Sequence, residues 1–157
     1  MIEIERKFLV SSLEFKREAF KHFRIIQGFL NTDPERTVRV RLKDQKGYLT
    51  VKGPSSEDGL SRFEWEQDIS EDDARALLDL CVQSVIDKTR YEVQSGNHVF
   101  EVDVFGGRNE GLILAEVELK SEDEEFISPD WLGEEVTGIP KYYNSQLSIE
   151  PFKTWNL

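Results

Sequence analysis

The chain has 157 residues, of which 31 are acidic and 20 are basic, so its formal net charge at pH 7 is −11. This length suits one domain, and a hydrophobic fraction of 38% supplies enough side chains for a core, which excludes wholesale disorder. The acidic excess argues against nucleic acid as a bulk partner, and taken alone it also argues against any polyanionic ligand.

Short runs of alternating apolar and polar residues, separated by turn signals, are typical of an antiparallel β protein. Several links have the composition of tight hairpins, such as 44–47 and 95–97. The sequence predicts eight strands, at residues 2–10, 24–31, 37–43, 47–53, 61–69, 85–94, 98–105 and 111–120.

Two helices interrupt these strands in the prediction. Ser70 is a good N-cap residue, and the three acids that follow it favour the positive end of a helix dipole. Apolar residues then recur at helical spacing from Ala74 to Cys81, which predicts a helix over 71–81. A shorter helix is expected within 12–22, and the tail from residue 121 is expected to be irregular.

The sequence carries no sign of export or of a membrane span. No run approaches the ~18 apolar positions that a span needs, and the chain is charged from Glu3 onward, unlike a signal peptide. The single cysteine, Cys81, excludes an internal disulfide framework and suits a reducing compartment. We therefore expect a cytoplasmic protein without membrane association, formed by one domain over residues 1–157.

Alternation places charged side chains together on one face of most predicted strands. Six strands carry two charges of the same sign at positions i and i+2, namely Glu3/Glu5, Arg39/Arg41, Glu64/Glu66, Lys88/Arg90, Glu101/Asp103 and Glu116/Glu118. Like charges at this spacing, roughly 7 Å, repel one another unless a ligand lies between them. A plain antiparallel sandwich with one solvated face is the alternative interpretation.

Both signs of charge would meet if the eight strands closed into a barrel with these faces inward. Convergent carboxylates bind hard divalent cations, and convergent arginines and lysines bind phosphate. A metal–polyphosphate complex is the ligand that needs both kinds of group, carboxylates for its metal and bases for its phosphate oxygens. The outer face would then be apolar, and the helix near 71–81, the tail or a partner chain would have to cover it. If a second copy of the chain provides this cover, the protein is a homodimer.

The N-terminal motif resembles that of a known family. Glu3-Ile4-Glu5-Arg6-Lys7 has the ExExK form that opens the CYTH domain, also called the triphosphate tunnel metalloenzymes. Further stretches resemble this family in the same order, at 39–41, 49–52, 64–66, 88–91, 101–103, 116–118, 131–137 and 141–144. The resemblance covers nearly the whole chain. It implies a mainly β (α+β) fold, with an eight-stranded antiparallel closed β-barrel or tunnel, a few flanking helices and a triphosphate bound with Mg²⁺ or Mn²⁺.

The resemblance and the charge pattern together suggest a role for each charged residue of the tunnel. The expected metal ligands are Glu3, Glu5, Glu101, Asp103, Glu116 and Glu118. The expected phosphate contacts are Lys7, Arg39, Arg41, Lys52, Lys88, Arg90 and Lys141. Since phosphoryl transfer depends mainly on positioning and charge stabilisation, the expected catalytic residues are Lys7, Lys52, Lys88 and Arg90. Glu64 and Glu66 are expected to orient basic neighbours or to ligate a second metal.

The expected activity is metal-dependent hydrolysis of a linear triphosphate, with inorganic tripolyphosphate converted to pyrophosphate and phosphate, as in the compact bacterial members. Three alternatives stay open: an adenylate cyclase that converts ATP to cyclic AMP and pyrophosphate, a thiamine triphosphatase, and a non-catalytic polyphosphate or nucleotide-binding module. Phe29 stands where many relatives carry tyrosine, which removes a hydroxyl from the expected site. Arg62, at the start of a predicted strand, is expected at the surface near the tunnel mouth.

Overall fold

The computed structural model describes residues 2–155, which contain nine strands and three short α-helices. The strands are β1 (Ile2–Val10), β2 (Lys21–Asn31), β3 (Thr37–Lys43), β4 (Lys46–Ser55), β5 (Ser61–Ile69), β6 (Val82–Ser95), β7 (His98–Phe105), β8 (Ile113–Leu119) and β9 (Leu132–Glu135). The α-helices are α1 (Phe15–Glu18), α2 (Glu71–Leu78) and α3 (Asn144–Ile149). None of these helices has the length and hydropathy needed to cross a bilayer. Met1, Asn156 and Leu157, which the predicted domain includes, lie outside the described residues.

Eight strands form a closed antiparallel barrel in the order β5-β4-β3-β2-β6-β7-β8-β1. β1 closes it, because Ile4 pairs with Leu119 of β8 on one edge and with Ser61 of β5 on the other. β9 continues along this second edge, where it pairs with β1 between Phe8 and Val10. The predicted eight-stranded closed barrel is therefore confirmed, and a ninth strand is added to it.

The structure departs from the predicted elements near the N-terminus and in the tail. β2 begins at Lys21 rather than at residue 24, because its first residues pair with the long strand β6, Lys21 opposite Glu92. The helix expected within 12–22 is reduced to the short α1, whose Phe15 is fully buried. In the tail, β9 forms although no alternation predicts it, since its partner β1 is more than a hundred residues away. In both places a pairing partner distant in sequence decides the structure.

Apolar side chains cover the outside of the barrel. α2 begins at Ser70, whose hydroxyl accepts a 3.0 Å hydrogen bond from the Asp73 amide, as the sequence predicts. It packs its buried Ala74 against Val40 and Leu42 of β3. A second cluster joins α1 and the tail to the outer faces of β1, β6, β7 and β8, and includes Phe8, Phe15, Val93, Phe100, Val102, Val117 and Trp131. The helix and the tail thus provide the cover that the sequence requires.

The outer face of β5 is less covered: Phe63 and Trp65 are 45% and 41% exposed. The expected homodimer stays a prediction.

One end of the barrel is filled by apolar side chains. Ile86, Phe105 and Leu114 continue the inward-facing rows of β6, β7 and β8, and they pack with Leu147 of α3. Residues 136–145, which we call the strap, lead from β9 into α3. The strap approaches the β4–β5 hairpin closely, because a Cβ atom at Gly59 would lie only 2.3 Å from the Cα atom of Gly138.

Candidate active site: a charge-lined tunnel

The barrel interior holds a cavity of about 240 Å³ whose walls are mostly charged. Because successive side chains of a strand point to opposite faces, each doublet of like charge directs both of its members to the same side of the sheet. The predicted residues that line the cavity are Glu3, Glu5, Lys7, Arg39, Arg41, Lys52, Glu64, Glu66, Lys88, Arg90, Glu101, Glu116 and Glu118. Asp103 lies behind this wall and is only 1% exposed.

Acids and bases are concentrated on opposite walls of the tunnel. The acidic wall is formed by the neighbouring strands β1 and β8, which carry Glu3, Glu5, Glu116 and Glu118. The basic wall is formed by β3 and β6, which flank β2 on the far side of the barrel and carry Arg39, Arg41, Lys88 and Arg90. Phe29 of β2 also lines the cavity, paired with Arg39, so this position has no hydroxyl to offer a ligand. A ligand that spans the tunnel meets carboxylates on one side and cations on the other.

Two guanidinium groups are buried beside each other on β3. Arg41 Nη2 lies 3.2 Å from Glu66 Oε2, and Arg39 Nη2 lies 3.6 Å from the same oxygen and 3.2 Å from Thr50 Oγ1. The Nε–H groups of both arginines have no acceptor within residues 2–155. Burial, together with the charges of Arg39 and Arg90, lowers the pKa of Arg41 to about 10. These crowded cations therefore retain donors for an anion.

Asp103 anchors the two bases of β6. Arg90 donates two hydrogen bonds to its carboxylate, Nε to Oδ1 at 2.7 Å and Nη2 to Oδ2 at 2.9 Å, and Lys88 Nζ lies 2.8 Å from Oδ2. Although burial opposes its ionisation, Arg90 and Lys88 hold the pKa of Asp103 well below its usual value. Both carboxylate oxygens are engaged by bases, so the structure favours Asp103 as an anchor in place of the metal-ligand role expected from the sequence.

Two carboxylates of the acidic wall, Glu5 and Glu118, have no basic partner within residues 2–155. Glu5 pairs across the strands with Glu118 and forms no salt bridge within residues 2–155. Burial and the charges of Glu116 and Glu3 raise the pKa of Glu5 well above its usual value. Burial is also the main cause that raises the pKa of Glu3 to about 7. Glu116 differs, because Lys7, with Nζ 3.7 Å away, counters its burial and helps lower its pKa to about 2.

This wall suits a divalent cation that takes most of its ligands from water and from substrate phosphate oxygens. Among residues 2–155, no three carboxylate, imidazole or thiolate groups form a preformed metal cluster. Mg²⁺ is commonly held by only one or two carboxylates, with water and substrate phosphate oxygens completing its octahedral shell. Glu5 and Glu118, with Glu3 beside them, offer carboxylates of this kind.

The remaining predicted residues connect the two walls. Lys52 Nζ lies 3.3 Å from Glu3 Oε1 and 3.6 Å from Glu64 Oε2. Glu66 accepts a hydrogen bond from Thr50 at 2.8 Å as well as pairing with the arginines of β3. Glu101 accepts a 3.1 Å hydrogen bond from Arg90 Nη1. Glu64 and Glu66 thus contact basic neighbours, and the orienting role suggested for them stays a prediction.

Several lining residues were not among the predicted site residues: Lys43, Arg62, Thr137, Tyr143 and Asn144. The sequence does hold a signal for Lys43, because this residue lies two positions after Arg41 on β3 and its side chain points to the same side of the sheet. Arg62 was placed at the surface, but it lines the cavity and donates to the Gly53 carbonyl at 3.0 and 2.7 Å. The strap residues gave no periodic signal.

Lys141, in contrast, is exposed and does not line the cavity. Its Nζ lies over the rings of Tyr142 and Trp155, at 5.2 and 4.8 Å from their centroids. The ammonium group thus lies outside the tunnel here, and the phosphate-binding role expected for Lys141 stays a prediction.

The chain is similar to proteins of one family. The model of the CYTH domain matches residues 1–146. An inorganic triphosphatase of Acetivibrio thermocellus is 47% identical over 154 residues, covering 98% of this chain and 97% of the relative, and one of Nitrosomonas europaea is 39% identical, covering 95% and 98%. A crystal structure of an inorganic triphosphatase matches with a TM-score of 0.64 and 34% identity, over 94% of this chain and 97% of that chain. The chain therefore belongs to the CYTH family.

Proposed function

We propose that this protein is a divalent-metal-dependent hydrolase of linear triphosphates, with inorganic tripolyphosphate as its substrate. Water cleaves one phosphoanhydride bond, and the products are pyrophosphate and phosphate. The observation that carries the proposal is that a wall of buried bases faces a wall of carboxylates, two of which, Glu5 and Glu118, form no salt bridge within residues 2–155. The Acetivibrio and Nitrosomonas relatives, which this chain matches over nearly their whole length, are named inorganic triphosphatases and so support this activity.

The charges of the lining suit a metal–polyphosphate complex better than a bare polyanion. Eight bases and seven carboxylates line the cavity, so the wall is close to neutral overall although the whole chain carries −11. A neutral wall compensates little of the charge of a free triphosphate. Divalent cations bound to the phosphate oxygens reduce that charge, and the carboxylates of the acidic wall can bind these cations.

The basic wall would hold the phosphate chain and stabilise charge on the leaving group. Arg39 and Arg41 present planar forks that match phosphate oxygens, and the Nε–H of each has no acceptor in the described part of the chain. Arg90 is fixed by two hydrogen bonds to Asp103, so it would not need to reorganise as charge develops on the leaving pyrophosphate, and Lys88 beside it would bind the phosphate chain. Lys7 and Lys52 add single charges from β1 and β4.

The acidic wall would hold the metal. Glu5 and Glu118 are its proposed ligands, with Glu3 and Glu116 beside them and Glu101 further along the wall. When bound, Mg²⁺ or Mn²⁺ would polarise phosphoryl oxygens and lower the pKa of a coordinated water. We propose either ion, since both take oxygen ligands.

The size of the cavity favours a small inorganic substrate over a nucleotide. Its volume of about 240 Å³ lies below the roughly 300–1,000 Å³ that pockets for drug-sized ligands enclose. The aromatic side chains that line it are Phe29 and Tyr143. We further propose that the whole chain is one CYTH domain and that it works in the cytoplasm, as its single, half-buried free thiol suggests.

One panel of assays tests the activity. The protein is incubated with tripolyphosphate, ATP or thiamine triphosphate, each with Mg²⁺ or Mn²⁺, and phosphate, pyrophosphate and cyclic AMP are separated. We expect equal amounts of pyrophosphate and phosphate from tripolyphosphate, at a higher kcat/KM than for the other two substrates. Cyclic AMP from ATP would instead identify a cyclase. Binding of tripolyphosphate without turnover in either metal would identify a sensor.

A further inference from the structure

The strap makes hydrogen bonds to two lysines of the tunnel. Lys7 Nζ donates to the Tyr142 carbonyl at 3.2 Å, and its backbone amide donates to Thr137 Oγ1 at 3.0 Å. Lys88 Nζ donates to Asn144 Oδ1 at 3.0 Å. Of these strap groups, only Asn144 is a side chain that binds a cation of the basic wall. Asn144 also lines the cavity itself.

The surroundings of Lys88 leave one direction for a ligand. Its ammonium group has three N–H donors, and the residue is only 3% exposed. One donor is directed to Asp103 Oδ2 at 2.8 Å and a second to Asn144 Oδ1. The ring of Phe105 lies on another side, with its centroid 5.4 Å from Nζ. Two fixed acceptors determine the rotation of the ammonium, and the third N–H remains for an anion in the cavity that Lys88 lines.

We propose that Asn144 is a positioning residue for substrate binding, which aims the third N–H of Lys88 at the polyphosphate. This inference rests on the proposed function. The strap therefore does more than close one end of the barrel: by docking, it completes the phosphate-binding geometry of β6. Without Asn144, Asp103 is the one remaining acceptor of the pair, so the position of the ammonium group and the direction of its third N–H are less well defined.

The chain offers a matched control that distinguishes this positioning role from a purely structural one. Ser84, also on β6, donates from its hydroxyl to the Ser148 carbonyl at 2.8 Å, so it ties the same strand to the same helix α3. Ser84 does not line the cavity. Ser84→Ala and Asn144→Ala each remove one hydrogen bond between β6 and α3, but only Asn144→Ala changes the surroundings of a tunnel lysine.

The test compares steady-state kinetics of both variants on tripolyphosphate with Mg²⁺. For Asn144→Ala we expect KM to rise roughly tenfold while kcat changes less than threefold, since a well-oriented charge-assisted hydrogen bond is lost. For Ser84→Ala we expect KM within twofold of the wild type. A purely structural effect would lower the fraction of folded enzyme, which reduces the apparent kcat and leaves KM unchanged. An unchanged KM in Asn144→Ala, or an equal rise in Ser84→Ala, would overturn the proposal.

A binding measurement separates this inference from the proposed activity. A tripolyphosphate analogue with methylene bridges, which water cannot cleave, is titrated calorimetrically with Mg²⁺ into the wild type and both variants. We expect Asn144→Ala to bind roughly tenfold more weakly than the wild type and Ser84→Ala to bind equally well. If the wild type binds but does not turn over tripolyphosphate in either metal, the proposed hydrolase activity is rejected. The dissociation constants of the wild type and Asn144→Ala would still decide whether Asn144 positions Lys88. Equal dissociation constants for the wild type and Asn144→Ala would reject the role of Asn144 alone.

Discussion

Glu5 of β1 lies directly opposite Glu118 of β8, and within residues 2–155 no salt bridge compensates the Glu5 carboxylate. Two acids that face each other across antiparallel strands destabilise the sheet unless a cation joins them. A fold that keeps this pair therefore trades stability for a site, as strained or perturbed groups at functional sites often do.

Glu5→Gln should abolish metal-dependent turnover without harming the fold. We expect kcat to fall at least about a hundredfold, because one proposed ligand of the metal loses its charge. The same change removes a buried, repelled charge, so the melting temperature of the metal-free protein should stay equal or rise. Phosphate release and thermal unfolding measure the two effects. Glu110→Gln, at an exposed salt bridge with Lys153, is the control, and undiminished turnover in Glu5→Gln would refute the metal role.

The stability of the metal-free protein should fall as the pH rises from 5 to 8. The pKa of Glu3 is raised from 4.5 to about 7, mainly by burial, so within this window the folded state binds more protons than the unfolded state. The free energy of unfolding therefore decreases with pH, by something on the order of 2 kcal/mol for Glu3, and the raised pKa of Glu5 adds to the same trend. Urea unfolding in EDTA at several pH values measures this slope. Glu3→Gln should flatten it, and a slope unchanged in that variant would contradict the assignment.

Asp103→Asn should destabilise the protein strongly while leaving metal binding intact. It removes the carboxylate that pairs with both Lys88 and Arg90, and breaking a buried pair by deleting one partner costs about 3 to 5 kcal/mol. Asp87→Asn breaks the exposed pair with Arg24, whose Nε lies 2.9 Å from Oδ1, and should cost less than about 1 kcal/mol. Chemical denaturation compares the two. If Asp103 were a metal ligand instead, calorimetry would show weaker Mg²⁺ binding in Asp103→Asn.

Lys141→Ala should leave catalysis unchanged. The Lys141 ammonium lies over the rings of Tyr142 and Trp155 outside the tunnel, so its removal affects only a cation–π contact worth about 0.5 to 1 kcal/mol. We expect kcat and KM for tripolyphosphate within twofold of the wild type. A KM raised more than fivefold would show that the strap carries this lysine into the tunnel when substrate binds, and would restore the role that the sequence suggests.

The sequence predicts the tunnel wall well because strand side chains alternate with a period of two. Once Arg39 and Arg41 are assigned to the interior, it follows which other side chains of their strand point inward. The same holds for the strand that carries Glu3 and Glu5. The partners of each charge are not predictable in this way, because they depend on the register between strands. The sequence thus presents Asp103 as a free acid, whereas the β6–β7 register places it opposite Arg90.

The strap is the part of the site that sequence patterns do not reach. Asn144 and Thr137 lie in a tail without alternation, and their contacts with Lys88 and Lys7 join residues 56 and 130 positions apart. Nothing local in the chain specifies such contacts, since docking of the tail on the finished barrel creates them. The resemblance to a family supplies the fold but assigns no role to these two residues.

Arg41→Lys should lower kcat/KM for tripolyphosphate roughly ten- to a hundredfold although it keeps the charge. Lysine offers a point charge in place of a planar fork, so it cannot pair with Glu66 and donate to phosphate in the same geometry. Arg24→Lys makes the same change at an exposed arginine that pairs with Asp87, and it should leave kcat/KM unchanged. Equal activity of Arg41→Lys and Arg24→Lys would mean that charge alone, without the bidentate geometry of the guanidinium, accounts for phosphate binding on the basic wall.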